Sequence, residues 1–307
     1  MICISTNWLY KGRRIAFLII ISVILSSPLR SQKNEIGLLV GGANYLGDIS
    51  FHLSKTRPAF GIFFKKHYQN KFSYLFYLKN LSIQADDSDT PDGPRKWRNL
   101  RLKNNITELS SSIQYNILQI NDLGNKGKYN YKALLNIHIG TTFFYHNPKG
   151  SIYGSNSWVF LQPLQTENIK YSLFGIGILN GFSINVNYNN INFGIQFDYV
   201  KTFTDYLDDI STVFMEPASQ SEQTQNYANQ AHLGNIHPDN LIYFQAGNIR
   251  GNPKNKDGYF NFGIRVSKNL YTKNSYYSNR KPYRKVSRKY SSKQFKMPKA
   301  RIVRAKF

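Results

Sequence analysis

Three carboxylates crowd one short stretch, KTFTDYLDDIST, where Asp205, Asp208 and Asp209 stand beside Tyr206. Hard oxygen ligands at that density suit calcium, which makes these three the metal candidates of the chain. Their spacing lacks the pattern of a calcium-binding loop. The expected role is therefore loop folding, through pairing with nearby cations and acceptance of backbone N–H bonds. A second cluster, ADDSDTPDGP, supplies Asp86, Asp87, Asp89 and Asp92. Positions 87, 89 and 92 miss the one–three–five ligand spacing as well. Arg95, Lys96, Arg98, Arg101 and Lys103 follow at once, so this loop is expected to close on itself through opposite charges. The six histidines, His52, His67, His138, His146, His232 and His237, show no metal-ligand spacing. No serine pairs with His138 by position, and a nucleophile needs a base within reach. No catalytic residue, cofactor or firm metal site is expected, and the chain is not expected to be an enzyme.

The segments that position these residues begin after a leader. Lys11, Arg13 and Arg14 precede an apolar run of 11 residues, 15–25, which Pro28 ends. That run is too short to span about 30 Å as a helix, so residues 1–31 are expected to be a secretory signal peptide cleaved near Gln32. The single cysteine, Cys3, lies within it, which leaves residues 32–307 without thiol chemistry. The net charge of +23 is uneven: residues 268–307 carry 14 basic residues and no acid, and residues 32–267 carry only +5. The body is nearly balanced and the tail is strongly basic. An exported chain rarely meets nucleic acid, so no nucleic-acid partner is expected; anionic lipid or an acidic protein fits such a tail better.

No stretch after residue 31 has 18 consecutive apolar residues, which excludes a transmembrane helix by pattern. Two-residue alternation recurs instead, eight times, over 35–45, 59–68, 72–84, 106–118, 129–145, 172–185, 191–199 and 259–267. One face of each run is large and apolar: Phe72, Tyr74, Phe76 and Leu78 in the third, Phe260, Phe262, Ile264 and Val266 in the eighth. The opposite face is mostly polar or glycine and includes Glu108, His138, Asp198 and Arg265. A soluble sandwich buries its apolar face in a shared core, whereas a membrane barrel turns it to lipid and fills its lumen with the polar one. Link lengths favour the barrel. Short links of about 68–71, 119–128 and 186–190 alternate with long ones of about 46–58, 85–105, 146–171 and 203–258. Such alternation marks periplasmic turns and extracellular loops. The expected fold is all-β, an eight-stranded antiparallel outer-membrane barrel with long extracellular loops and a basic C-terminal tail. Eight strands leave an interior just wide enough for side chains, so a filled lumen or a narrow water-lined crevice is expected. In such a setting the basic half of the 86–103 loop has a second outlet, lipopolysaccharide phosphate.

Six segments then carry a resemblance: EIGLLVGGANYLGDIS, RPAFGIFFK, NNITELSSSIQYNIL, LQPLQTEN, KTFTDYLDDIST and RGNPKNKDGYF, in this order. Together they resemble the PorG-type outer-membrane barrels of the Bacteroidota type IX secretion system, over about residues 34–268. The motif positions are Gly47, Asp48, Thr204, Asp205, Tyr206, Leu207, Asp208, Asp209, Gly251, Asn252, Pro253, Lys256 and Asp257. The resemblance implies a structural component in the outer membrane that contacts a periplasmic ring of the PorK and PorN type, and so a part in protein secretion. The alternative is a stand-alone surface barrel, an adhesin-like binder or narrow transporter. An even strand number returns both termini to the periplasm. There Arg280, Lys281, Arg284, Lys285, Arg288 and Lys289, interleaved with tyrosines, are the candidates to grip anionic lipid, peptidoglycan or a ring protein. A solubilising extension is the plainer role for the same tail.

Overall fold

A computed structural model describes residues 34–68, 71–121, 131–151, 157–188, 190–216, 219–228 and 238–270. The expected signal peptide and the tail beyond Leu270, with its six basic candidates, lie outside the described residues; the first three tail residues, 268–270, end the last strand.

Each alternating run forms a strand: β1 (Asn34–Leu46), β2 (Arg57–His67), β3 (Phe72–Asp86), β4 (Arg101–Ile120), β5 (Tyr131–Ser151), β7 (Phe174–Tyr188), β8 (Ile191–Thr202) and β9 (Gly258–Leu270). A three-residue strand, β6 (Trp158–Phe160), pairs with the end of β5. Neighbours are antiparallel, β9 pairs with β1, and β4 pairs with β5, so the eight long strands close into a barrel. Closure removes every free edge among the long strands, which a membrane-spanning sheet requires. The four long links gather at one end of the barrel. At the other end Asn34 of β1 stands opposite Leu270 of β9, so both ends of the described chain leave beside the short links.

The register sets the faces. Leu38, Ile139, Ile195 and Ile264, 57–65% exposed, belong to an outward belt of apolar side chains on all eight long strands. Lys79, Glu108, Gln114, His138, Gln196, Asp198 and Arg265 point inward and are buried. Belt outside and polar lumen inside define a small outer-membrane β-barrel. Lys79 Nζ lies 2.8 Å from Glu108 and 2.7 Å from Asp198, and His138 Nε2 lies 2.7 Å from the other oxygen of Asp198. Arg265 lays its guanidinium 4.3 Å over the Phe63 ring and donates to Gln196 Oε1. These pairs and rings fill the middle of the lumen.

Most strands run a few residues past the sequence pattern, and two exceed it by five or six. β4 begins at Arg101 instead of Ile106, and β5 ends at Ser151 instead of Tyr145. The reason is an inversion of the pattern towards the long-loop end. There Lys103, Asn105, Thr107, Asn147 and Lys149 take the outward positions, while Leu102, Ile106, Leu81, Ile83, Ala43 and Tyr45 turn inward into an apolar cluster. Alternation with apolar groups outward stops where the belt stops, although the strands continue. The short helices α1 (Pro94–Arg98) and α2 (Glu222–Ala228) and strand β6 lie in the long links, where alternation carries no signal.

Candidate functional site

The inverted region forms the floor of a cap over the barrel mouth. Leu207 and Ile210 from the β8–β9 link, Tyr227 from α2 and Leu161 from the β5–β7 link pack down on Tyr45, Leu81, Ile106, Phe144, Val200 and Tyr259. Every one of these side chains is fully buried, so the mouth is closed by an apolar layer. Above that layer, all four long links meet in a polar network.

The first link contributes Gly47 and Asp48. A Cβ on Gly47 would fall 1.8 Å from Tyr45 Oη and 2.1 Å from Asp257 Oδ1, so only glycine lets the chain pass here. Asp48 Oδ2 accepts from Asn252 N at 2.9 Å, and a Cβ on Gly251 would lie 2.6 Å from that same oxygen. The second link contributes Asp87 and Arg98, which close on each other at 2.8 Å, as the mixed charges of this loop predict. Arg98 also donates to Arg250 O at 3.0 Å and Asp48 O at 3.1 Å, joining three links. The third link contributes Glu167, which accepts from the backbone N–H groups of Ser211 and Thr212 and from Arg250 Nη1 at 2.9 Å. Tyr171 of the same link stacks on Tyr206, ring centroids 4.6 Å apart and planes within 4°.

The three metal candidates point to different partners. Asp205 accepts from Ser211 Oγ at 2.7 Å and faces Lys256 at 4.0 Å. Asp208 meets Tyr45 Oη and accepts from Ile210 N, while Asp209 accepts from Thr166 and from Tyr171 Oη at 2.8 Å. Asp209 takes a φ of 69°, a left-handed conformation that aspartate tolerates better than most residues. Among the described residues no three histidine, cysteine or acidic side chains converge where a metal ion would be held. Of the remaining motif positions, Thr204 accepts from Tyr206 N, and Leu207 N donates to Asp257 Oδ2 at 3.0 Å. Pro253 is exposed.

One contact fixes the proton count. Tyr45 Oη lies 2.5 Å from Asp208 Oδ2 and 2.9 Å from Asp257 Oδ1, and it accepts a bond from Asp48 N. A phenol has a single proton, so it donates to one carboxylate and the other carboxyl must donate its own. Burial pushes Asp208 up to about 8, with the nearby Asp48 carboxylate adding to the rise. Burial and the neighbouring Asp208 hold Asp257 well above the usual carboxylate range. Burial also lifts Asp209, to about 7, in spite of the Arg250 guanidinium beside it. Burial thus raises all three carboxyls of the cap above the range of exposed aspartates.

Sequence reasoning placed the motif residues in loops but missed several of the groups that hold them: Tyr45, Thr166, Glu167, Tyr171 and Arg250. Thr166, Glu167 and Arg250 did stand inside resembling segments, LQPLQTEN and RGNPKNKDGYF. Tyr45 and Tyr171 resemble any aromatic near a strand end, and nothing local sets them apart.

Comparison with known proteins completes the picture. Residues 13–246 match the model of DUF6089, a domain of unknown function. The chain belongs to the DUF6089 family. No curated protein matches it. Among solved structures, Ail, the attachment invasion locus protein of Yersinia pestis, in complex with the heparin analogue sucrose octasulfate, aligns over 78% of this chain and 100% of its own. The identity is 9% and the TM-score 0.38. Neisserial surface protein A (NspA) aligns over 78% of this chain and 97% of its own, at 8% identity and a TM-score of 0.29. At such values neither likeness bears on function.

Proposed function

We propose that the chain is a structural, non-catalytic outer-membrane barrel of the PorG type, which anchors or orients a periplasmic ring assembly for protein secretion. The observation that carries this reading is the convergence of nearly all the motif residues, Gly47, Asp48, Thr204 to Asp209, Gly251, Asn252 and Asp257, on one network whose centre, Asp205, Asp208, Asp209 and Asp257, is buried. A mouth locked by four links and an apolar layer suits a rigid scaffold better than a gated pore. In this reading the long loops face the exterior and residues 1–31 are removed on export. The basic tail, 268–307, then enters the periplasm from the short-link end, with Arg280, Lys281, Arg284, Lys285, Arg288 and Lys289 facing an acidic ring protein of the PorK or PorN type. The test is affinity purification of the full chain beside one ending at Leu270, together with secretion by a deletion strain. Recovery of a periplasmic ring protein by the full chain and a secretion defect on deletion are expected. Isolation of a lone barrel, with secretion intact after deletion, would contradict the reading in favour of a stand-alone surface barrel.

A further inference from the structure

We infer that the outward face of β4, β5 and β6, just beyond the apolar belt, binds the phosphate of an anionic membrane lipid. Lys103 of β4 and Lys149 of β5 stand directly opposite each other in the antiparallel register. Like charges in that position destabilise a sheet, and an anion shared between them reverses the sign of the effect. Their basic neighbours are neutralised from within the chain: Lys55 pairs with Asp86 and Asp89, and Arg101 with Asp86. Among the described residues neither Lys103 nor Lys149 has a carboxylate within ion-pair distance. Each instead rests its ammonium on an aromatic ring of β6, Lys103 at 4.6 Å from the Trp158 centroid and Lys149 at 4.4 Å from that of Phe160. Cation–π contact steadies an ammonium without cancelling its charge. A third cation, Arg57, lies on the same level; its Nε donates to Gln84, the β3 residue paired with Lys103.

The height of the patch selects a lipid. At the edge of the belt Phe143 stacks on Phe174, centroids 5.9 Å apart, and Tyr145 tilts against the same ring at 5.2 Å, as in an interfacial aromatic girdle. Lys149 is four residues beyond Tyr145, about 13 Å along a strand and roughly 10 Å along the membrane normal at the usual tilt. The ammonium of Lys149 stays at that height over Phe160, the residue paired with it, and that of Lys103 reaches out over Trp158, so both lie on the water side of the belt among the headgroups. A phosphate there has its acyl chains against the belt and its charge between two lysines. This inference needs only the membrane barrel and is independent of the secretion reading.

Native mass spectrometry of the folded full chain in detergent, with lipid A, phosphatidylcholine or inorganic phosphate added, tests it against the double variant Lys103→Gln/Lys149→Gln. The wild type is expected to retain lipid A where it retains no phosphatidylcholine, and the variant to bind it at least about tenfold more weakly. In lipid-free detergent the variant is expected to melt higher than the wild type, because the like-charge pair is gone, and to lose most of the rise in Tm that lipid A gives. Equal lipid A binding by both chains would overturn the proposal. So would displacement of lipid A by an equal concentration of inorganic phosphate, which would make the patch a site for the free anion.

Discussion

Single side chains in the cap make its stability depend on pH. Asp208 is held up to about 8 in the folded chain, whereas in the unfolded chain it ionises near 4. Between those values the folded state keeps a proton that the unfolded state has released, so stability falls as pH rises. The decline begins near pH 4, where the unfolded chain starts to ionise, and continues until the folded carboxyl has ionised as well. Thermal melts of the folded chain in detergent from pH 5 to 9 are expected to show Tm dropping towards pH 8, and Asp208→Asn to flatten the drop. A wild-type Tm that stays level, or a variant with the same slope, would show that the carboxyls hold no extra proton. Arg250 tests the network from the cationic side. Its loss leaves Glu167 buried without its cation, a change worth about 3–5 kcal/mol. Limited proteolysis is expected to cut Arg250→Ala between residues 203 and 213, where the wild type resists.

Strands and links differ in how plainly they are written. All eight long strands were legible because one face of each had to meet lipid, and Phe72, Tyr74, Phe76 and Leu78 leave no other choice of register. The upper parts of β4 and β5 were not legible, because Leu102 and Ile106 turn inward under the cap while Lys103 and Asn105 face out. There the same alternation carries the opposite meaning. The cap itself was half legible. TDYLDD and GNPKNKD stood out as loop motifs, but Tyr45 comes from the end of β1 and Glu167 from another link, 163 and 44 residues away along the chain from the groups they hold. Local pattern contains no record of such distances. Two heights on the outward face of β5 give a test of the element: Ile139→Lys, on the belt, is expected to cost about 2–4 kcal/mol. Asn147→Lys, beyond the belt on the same strand face, is expected to change Tm little. Equal losses at both positions would mean that the belt has been misplaced.

The whole molecule joins a lipid-facing wall, a lumen filled by Lys79, Glu108, Asp198, His138 and Arg265, and an apolar layer closed over the mouth. Uneven charge belongs to this scale as well. The body is close to neutral and the excess lies in the tail, so the high isoelectric point describes an appendage, not the barrel. A barrel sealed at its middle and again at one end acts through its outer surfaces and its ends. In the scaffold reading proposed above, its contribution to an assembly is position and rigidity, not passage. The most direct test is ion conductance of the purified, folded chain in planar lipid bilayers at neutral pH. The sealed scaffold predicts no sustained current steps above the bare bilayer; steady open-channel current from the unmodified chain would contradict it.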